Sequence, residues 1–361
     1  MIELILIFLT IALAAHLGVT ILFSIIINQW KSLKSDLSPS VSIIIAARNE
    51  FQNLKDLVPK LLEQDYSDFE IVIGLDRCAD RSLDYLNSID NEKIKVVPIE
   101  KVPTHWNSKK FVLNESIKRS AHEWLLFTDA DCIPNSTQWI RSITKEIANN
   151  TDIVIGVSPY VSDRSWRSYY IQFEAFMTFF LYTAFAMFKK PYMAVGRNLA
   201  IKKSFFMSQN GYESFKSTLG GDDDLFIQKT KHIANINLVL GKNSLIKTYP
   251  SEDWKSYFRQ KTRHYSVSEN YSLTSKMLLT FYHVSHNLFY LALVILIWQP
   301  YFQPIILFSL FIKLVSYRFV ANKIGAGFNY ILLPFVDIVY AMLTPVLGIA
   351  SKLVKDIKWK N

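Results

Sequence analysis

Between residues 41 and 129 the chain returns four times to a short apolar run: VSIIIAA (Val41–Ala47), FEIVIGL (Phe69–Leu75), IKVVPI (Ile94–Ile99) and EWLLFTD (Glu123–Asp129). Continuous runs of this length, rich in branched side chains, read as strands buried on both faces. Stretches with helical spacing lie between them, NLKDLVPKLLEQ (Asn53–Gln64) and KKFVLNESIKRS (Lys109–Ser120). Strands that alternate with helices predict an α/β domain with a mainly parallel, Rossmann-like sheet. Ligands of such sheets gather at the carboxyl ends of the strands. Acidic and polar clusters occupy those ends here.

Half of the residues are hydrophobic, and they are unevenly placed. Leu4–Ile27 is almost uncharged and long enough for a hydrocarbon core of roughly 30 Å. No basic segment precedes it and no small-residue cleavage site closes it, so it reads as a membrane anchor rather than a signal peptide. Lys31 and Lys34 follow at once, which predicts that the residues after the anchor are cytoplasmic, as at a bacterial inner membrane. Leu278–Trp298 and Ile305–Tyr317 read as two further spans joined by QPYFQP. Ile331–Ile349 contains Pro334, Asp337 and Pro345. A full crossing there would carry the basic tail (residues 351–361) outside, so a kinked or re-entrant segment is an alternative. Tyr169–Phe188, interrupted by Gln172 and Glu174, reads as an aromatic helix lying in the membrane interface. The expected organisation is an anchor over 1–30, an α/β domain over 38–270 with the interfacial helix near 166–190, and a membrane region over 276–350.

The formal charge is +9. The basic residues are scattered and flank apolar runs, a pattern suited to anionic lipid surfaces and not to nucleic acid. Two cysteines, Cys78 and Cys132, cannot make a disulfide framework. His105, His122, His283 and His286 have no metal-ligand spacing.

The chemistry lies at the strand ends. In LFTDADCIPN, Asp129 and Asp131 leave one strand as alternate carboxylates that can converge on one hard divalent cation. In VIGLDRCADRS, Asp76 and Asp80 follow another. Either loop alone reads as a polar turn; two in one sheet form a shared anionic crevice, which favours a metal–nucleotide site. GGDDDLF (Gly220–Phe226) crowds three carboxylates ahead of an apolar pattern with helical spacing. A first helical turn tolerates that crowding because the macrodipole favours negative charge.

Together these motifs resemble the family-2 glycosyltransferases of the GT-A fold group, which includes cellulose and hyaluronan synthases and ceramide glucosyltransferase. The resemblance spans about residues 40–265. It implies that Ala47, Arg48 and Glu50 in AARNE and Asp76 contact the nucleotide, with Leu75 replacing the first Asp of the family's pair. Lys109 matches a lysine near the nucleotide, and Asp129 with Asp131 match the D-x-D that binds nucleotide and metal. Gly196, Arg197 and Asn198 match the segment facing acceptor and donor sugar. Asp222 falls on the catalytic base and Asp224 on the Asp before the family leucine, while Gly221 takes the place of a Glu. Gln260 and Arg263 match Q-x-x-R-W, with His264 in the Trp position beside the acceptor. Asp223 acquires no role and is expected on a solvated face. Arg197 alternatively pairs with Glu174 or Asp224.

The implied activity is inverting transfer from a nucleotide-diphosphate sugar, of UDP or GDP type, to a lipid or membrane-proximal glycan, with Mg²⁺ or Mn²⁺. Two other readings fit the departures at Leu75, Gly221 and His264: a catalytically degenerate domain serving as a membrane scaffold, and a nucleotidyltransferase of similar fold. The second would need a basic, glycine-rich N-terminal loop, which AARNE does not provide.

Overall fold

The structure, a computed structural model, describes residues 1–325 and 327–353; the basic-tail lysines Lys355, Lys358 and Lys360 lie outside them. In chain order the first elements are α1 (Ile2–Asn28), β1 (Val41–Ala47), α2 (Phe51–Leu62), β2 (Phe69–Asp76), α3 (Ser82–Asn87), β3 (Ile94–Ile99) and α4 (Ser108–Arg119). Next come β4 (Trp124–Phe127), β5 (Cys132–Pro134), α5 (Trp139–Thr144), β6 (Ile153–Ile155), α6 (Trp166–Met187), β7 (Leu199–Lys202) and α7 (Lys203–Ser208). The last are α8 (Asp224–Thr230), β8 (Ile236–Leu238), β9 (Ile246–Thr248), α9 (Trp254–Val267), α10 (Leu273–Leu296), α11 (Gln303–Ile324) and α12 (Leu333–Leu353).

These elements form two compact units, one of them α/β over residues 31–161 and 190–249. Its main sheet has the order β3-β2-β1-β4-β7-β6-β8. The pairs among β3, β2, β1 and β4 are parallel, and β7 runs antiparallel to both β4 and β6. β1 and β2 are buried along their whole length, as continuous apolar runs predict. The β3 run, expected to be a third buried strand, is instead an edge strand that is only partly buried. Pro98 sits there because an edge strand has no neighbour awaiting its missing N–H. β5 and β9 form a separate two-stranded ribbon that carries the segment just after Asp131.

The helical unit comprises residues 1–30, 162–189 and the described residues between 250 and 353. Four of its helices are long and apolar enough to cross a membrane: Ile2–Asn28, Leu273–Leu296, Pro300–Ile324 and Leu333–Lys352. The third continues past Tyr317, where the sequence reading stopped, because a charge such as Arg318 does not interrupt helical hydrogen bonds; it ends at Gly325, whose φ of 86° is left-handed. The segment with Pro345 is one continuous helix. The aromatic helix α6 and the Gln260 motif on α9, expected within the α/β domain, group with the long helices. α6 is buried around most of its circumference. Phe173 and Phe176 pack against Tyr317, and Phe23 against Phe180. A helix lying in an interface would show one open apolar face, so that expectation does not describe its packing.

Candidate active site

The carboxyl ends of β1, β2 and β4 open on one side of the sheet, and the loops that follow are tied to one another. Asn49, left-handed at φ 54°, accepts the Ala79 N–H at 2.8 Å through its side chain. Asp80 accepts the Phe51 N–H at 2.9 Å, so this carboxylate fastens the start of α2. Asp76 is fully buried. It accepts two bonds from Arg77, at 2.7 and 3.1 Å, and one from the Ser108 hydroxyl at 2.7 Å; Arg48 stands 3.9 Å away. Ala47 is buried at the strand end, and Glu50 accepts from the Asn53 amide at 2.5 Å.

Lys109 joins the next two motifs. Its ammonium lies 2.9 Å from Asp129 and 3.2 Å from Asp222. Burial works against the lysine's charge, but Asp129 and Asp222 more than offset it and raise its pKa. Lys109, Asp129, Asp222, Asp223, Gly196 and Tyr212 line one cleft, floored by Phe127 and Leu199.

The acid loop reaches this cleft through a turn that needs glycine. Gly220 and Gly221 have φ of 77° and 71°, a region L side chains avoid. A Glu at position 221 would be strained there, which accounts for this departure from the family pattern. α8 begins only at Asp224, with Asp223 as its cap. Thus Asp222 precedes the helix rather than standing in its first turn.

Asp223 is not on a solvated face. It lines the cleft, accepts the Gly196 N–H at 2.5 Å and accepts the Asp224 N–H at 2.8 Å. A Cβ on Gly196 would meet Asp223 at 3.0 Å, so a glycine permits this approach. Burial, then the Asp222 charge, push the Asp223 carboxyl up to about 6. For Asp222 burial acts upward too, but Lys109 and then Lys110 outweigh it and hold the carboxyl below its usual range.

Asp129, Asp131 and Cys132 bring ligand atoms within 4.8 Å of one another. Cys132 is fully buried; burial, then the Asp131 and Asp129 charges, raise its thiol well above the usual range. It donates toward Asp131 at 3.6 Å. Of these three, the two carboxylates are hard donors suited to Mg²⁺ or Mn²⁺, and the soft thiol is not. Asp131 opens to solvent, yet desolvation by its surroundings, then the Asp129 charge, raise its carboxyl.

Residues 42–208 match the family described as Glycosyl transferase family 2. Residues 42–208 carry a family 2 glycosyltransferase domain. A poly(ribitol-phosphate) beta-glucosyltransferase of Bacillus spizizenii is 29% identical over 118 residues, which are 32% of this chain and 18% of that relative. The chain therefore matches about a fifth of the relative's length. Among solved structures, the mannosyltransferase PcManGT from Pyrobaculum calidifontis, in complex with GDP-Man and Mn²⁺, aligns over 98% of both chains with a TM-score of 0.58 and 15% identity. TarS 1–349 of S. aureus, in complex with UDP-GlcNAc, covers 86% of this chain and 89% of its own with a TM-score of 0.43 and 14% identity. The first likeness is one of GT-A fold.

The family 2 match ends at Ser208, before the acid loop, and contacts such as Lys109 to Asp222 and the Gly196 N–H to Asp223 join that loop to the matched residues. Within the domain, Asn198 is fully buried. Its side chain accepts from the Trp139 indole at 3.1 Å and donates to the Val157 and Ser244 carbonyls at 2.7 and 2.9 Å. Expected to face the sugar, it is occupied by protein partners and supports the segment instead. Arg197 donates to the Ser158 hydroxyl at 2.7 Å and carbonyl at 3.2 Å, and lies over the Tyr160 ring. These replace the expected partners Glu174 and Asp224; Glu174 pairs with Lys261 in the helical unit. Gln260, Arg263 and His264 stand on α9 of that unit, where Gln260 accepts from Ser251 at 3.1 Å. The sequence reading missed Asp223 and Lys110. The charge run marked the first; nothing local separates Lys110 from its neighbour.

Proposed function

We propose that this glycosyltransferase domain transfers a sugar from a nucleotide-diphosphate donor to a lipid or membrane-proximal glycan acceptor, with inversion. The observation that carries the reading is the placement of Lys109 between Asp129 and Asp222 at the carboxyl end of the parallel strands. Transfer releases a diphosphate and needs a base for the incoming hydroxyl. One cleft offers cationic and metal-binding groups for the first and a carboxylate for the second.

Asp129 and Asp131 would hold the divalent cation. When bound, the cation supplies Lewis-acid neutralisation of the diphosphate. Lys109 donates charge-assisted hydrogen bonds to phosphate oxygens, which compete with the two carboxylates for its ammonium. Asp222 takes the acceptor proton: its ion-pair partner is a side chain that a phosphate can draw away, whereas Asp223 is held by two backbone N–H groups and positions the loop. The strand-end residues Ala47, Arg48, Glu50 and Asp76 face the nucleotide, and Gly196 and Arg197 line the approach to the sugar. For Gln260, Arg263 and His264 the donor and acceptor roles rest on the family resemblance alone. The four apolar helices and the cytoplasmic orientation read from Lys31 and Lys34 favour an acceptor at a bilayer surface.

The purified full chain in lipid nanodiscs, supplied with GDP- and UDP-sugars, membrane lipids and Mn²⁺ or Mg²⁺, should release nucleoside diphosphate and label lipid or glycan. Asp222→Asn should lower turnover about 10²- to 10⁴-fold, the range for one general base, with donor binding retained. Full loss in Asp223→Asn beside an active Asp222→Asn would reverse the assignment. No turnover and no metal-dependent nucleotide binding would favour the scaffold reading.

A further inference from the structure

Three consecutive residues in the first turn of α4 hold three different segments of the domain. Ser108 donates to Asp76 at the end of β2, at 2.7 Å. Lys109 reaches Asp129 and Asp222. Lys110 turns the other way. It has no exposed surface, and its ammonium donates to the backbone carbonyls of Thr218 and Gly220, each at 2.5 Å. It stands 5.8 Å from the centre of the Phe215 ring. Just before the helix, the Asn107 N–H donates to the Lys216 carbonyl at 2.7 Å. The segment Lys216–Gly220 therefore hangs from the start of α4 by three hydrogen bonds, two of them from one buried ammonium.

A buried ammonium is costly to retain. Methionine would fill a similar volume without that cost, so the charge itself calls for an explanation. Two features supply one. The carbonyls it binds belong to residues that enter the left-handed Gly220–Gly221 turn, where no side chain anchors the chain. The acids just beyond that turn, Asp222 and Asp223, feel its charge. Burial lowers the Lys110 pKa to about 8, with Asp222 and Asp223 acting upward and Lys109 downward.

We propose that Lys110 is a positioning residue of the acid loop: its ammonium fixes Thr218–Gly220 and thereby sets Asp222 and Asp223 opposite Lys109 and Asp129. Lys109 and Lys110 thus divide one task, the first holding the acids by their carboxylates and the second holding their loop by its backbone. The kinetic readout rests on the glycosyl-transfer reading; the exchange readout below does not.

The test compares full-length wild type, Lys110→Met and Lys110→Arg. In Lys110→Met, amide hydrogen exchange over Gly220–Asp224 should rise at least about tenfold without any substrate, while exchange in β1 and β2 stays unchanged. Its kcat should fall about a hundredfold, the scale of a small misplacement of a reacting group, with donor KM within about twofold. The acid limb of its kcat profile should move to higher pH, because Asp222 keeps Lys109 but loses a second positive neighbour while still facing Asp223 and Tyr212. Lys110→Arg should keep the wild-type limb, and it carries the test if Lys110→Met does not fold. Unchanged loop exchange and kcat in Lys110→Met, or a displaced limb in Lys110→Arg, would overturn the proposal. A wild type without turnover on any donor defeats the transferase reading alone, since loop exchange still decides the role of Lys110.

Discussion

The ammonium of Lys109 lies 2.9 Å from the carboxylate of Asp129, so the first turn of α4 and the end of β4 are joined by an ion pair in the cleft. The same ammonium reaches Asp222 at 3.2 Å. Two motifs 93 residues apart thus share one cation.

Lys109→Ala should remove that link. Loss of hydrogen bonds to charged partners costs about 1.5–3 kcal/mol, to be read as a lower unfolding midpoint. Asp222 would lose the neighbour that does most to hold its carboxyl low, so it should titrate higher. Transfer should fall with donor KM raised, since phosphate loses a donor. An unchanged KM would mean that Lys109 does not meet the donor.

Asp223 gives a stability signature in a definite pH window. Its folded carboxyl titrates near about 6 against an ordinary 3.8, so the folded protein binds this proton more tightly than the unfolded chain. Its contribution is greatest below pH 4 and is lost as pH rises from about 4 to about 6. Asp222 has the opposite sign, because its carboxyl is held low: its contribution is present above pH 4 and is lost below. Unfolding midpoints measured from pH 4 to 7 should therefore fall more steeply in wild type than in Asp223→Asn. Parallel slopes would remove Asp223 as the source.

Gly221→Glu would install the residue common in the family and should nevertheless destabilise the protein. A side chain at φ 71° costs about 1–2 kcal/mol, and the same change should depress turnover by moving Asp222. Calorimetry of Gly221→Ala and Gly221→Glu checks this; two midpoints equal to wild type would show that the turn does not require glycine.

The helical unit holds a buried ion pair: Lys313 on α11 lies 2.6 Å from Asp337 on α12, with His286 at 2.9 Å and the Tyr290 hydroxyl donating at 2.5 Å. Removing one charge should cost about 3–5 kcal/mol by leaving the other buried and unpaired, whereas replacing both by apolar residues should be near neutral. In detergent, Lys313→Met and Asp337→Leu should each unfold at lower temperature, and the double variant should recover most of the loss. Additive losses would show that the two charges do not support each other.

Much of this protein is legible in its sequence. The β1 run VSIIIAA matches its strand end to end, and the α/β class with a mainly parallel sheet follows from the alternation of such runs with helices. Burial on both faces leaves that periodic mark on neighbouring residues. The strand-end carboxylates are visible for the same reason, since a polar break in an apolar run marks where a buried strand meets solvent.

Tertiary structure decided what each polar residue does. Asn198 reads as a sugar contact until Trp139, Val157 and Ser244 claim its side chain. Lys109 and Lys110 are adjacent and alike, yet successive helical residues point about 100° apart, so one meets carboxylates and the other carbonyls. Asp337 reads as a break in a span until Lys313 comes beside it. Apolar burial is written locally, in spacing. A charge acquires its role from its partner, and here the partners come from other segments of the chain.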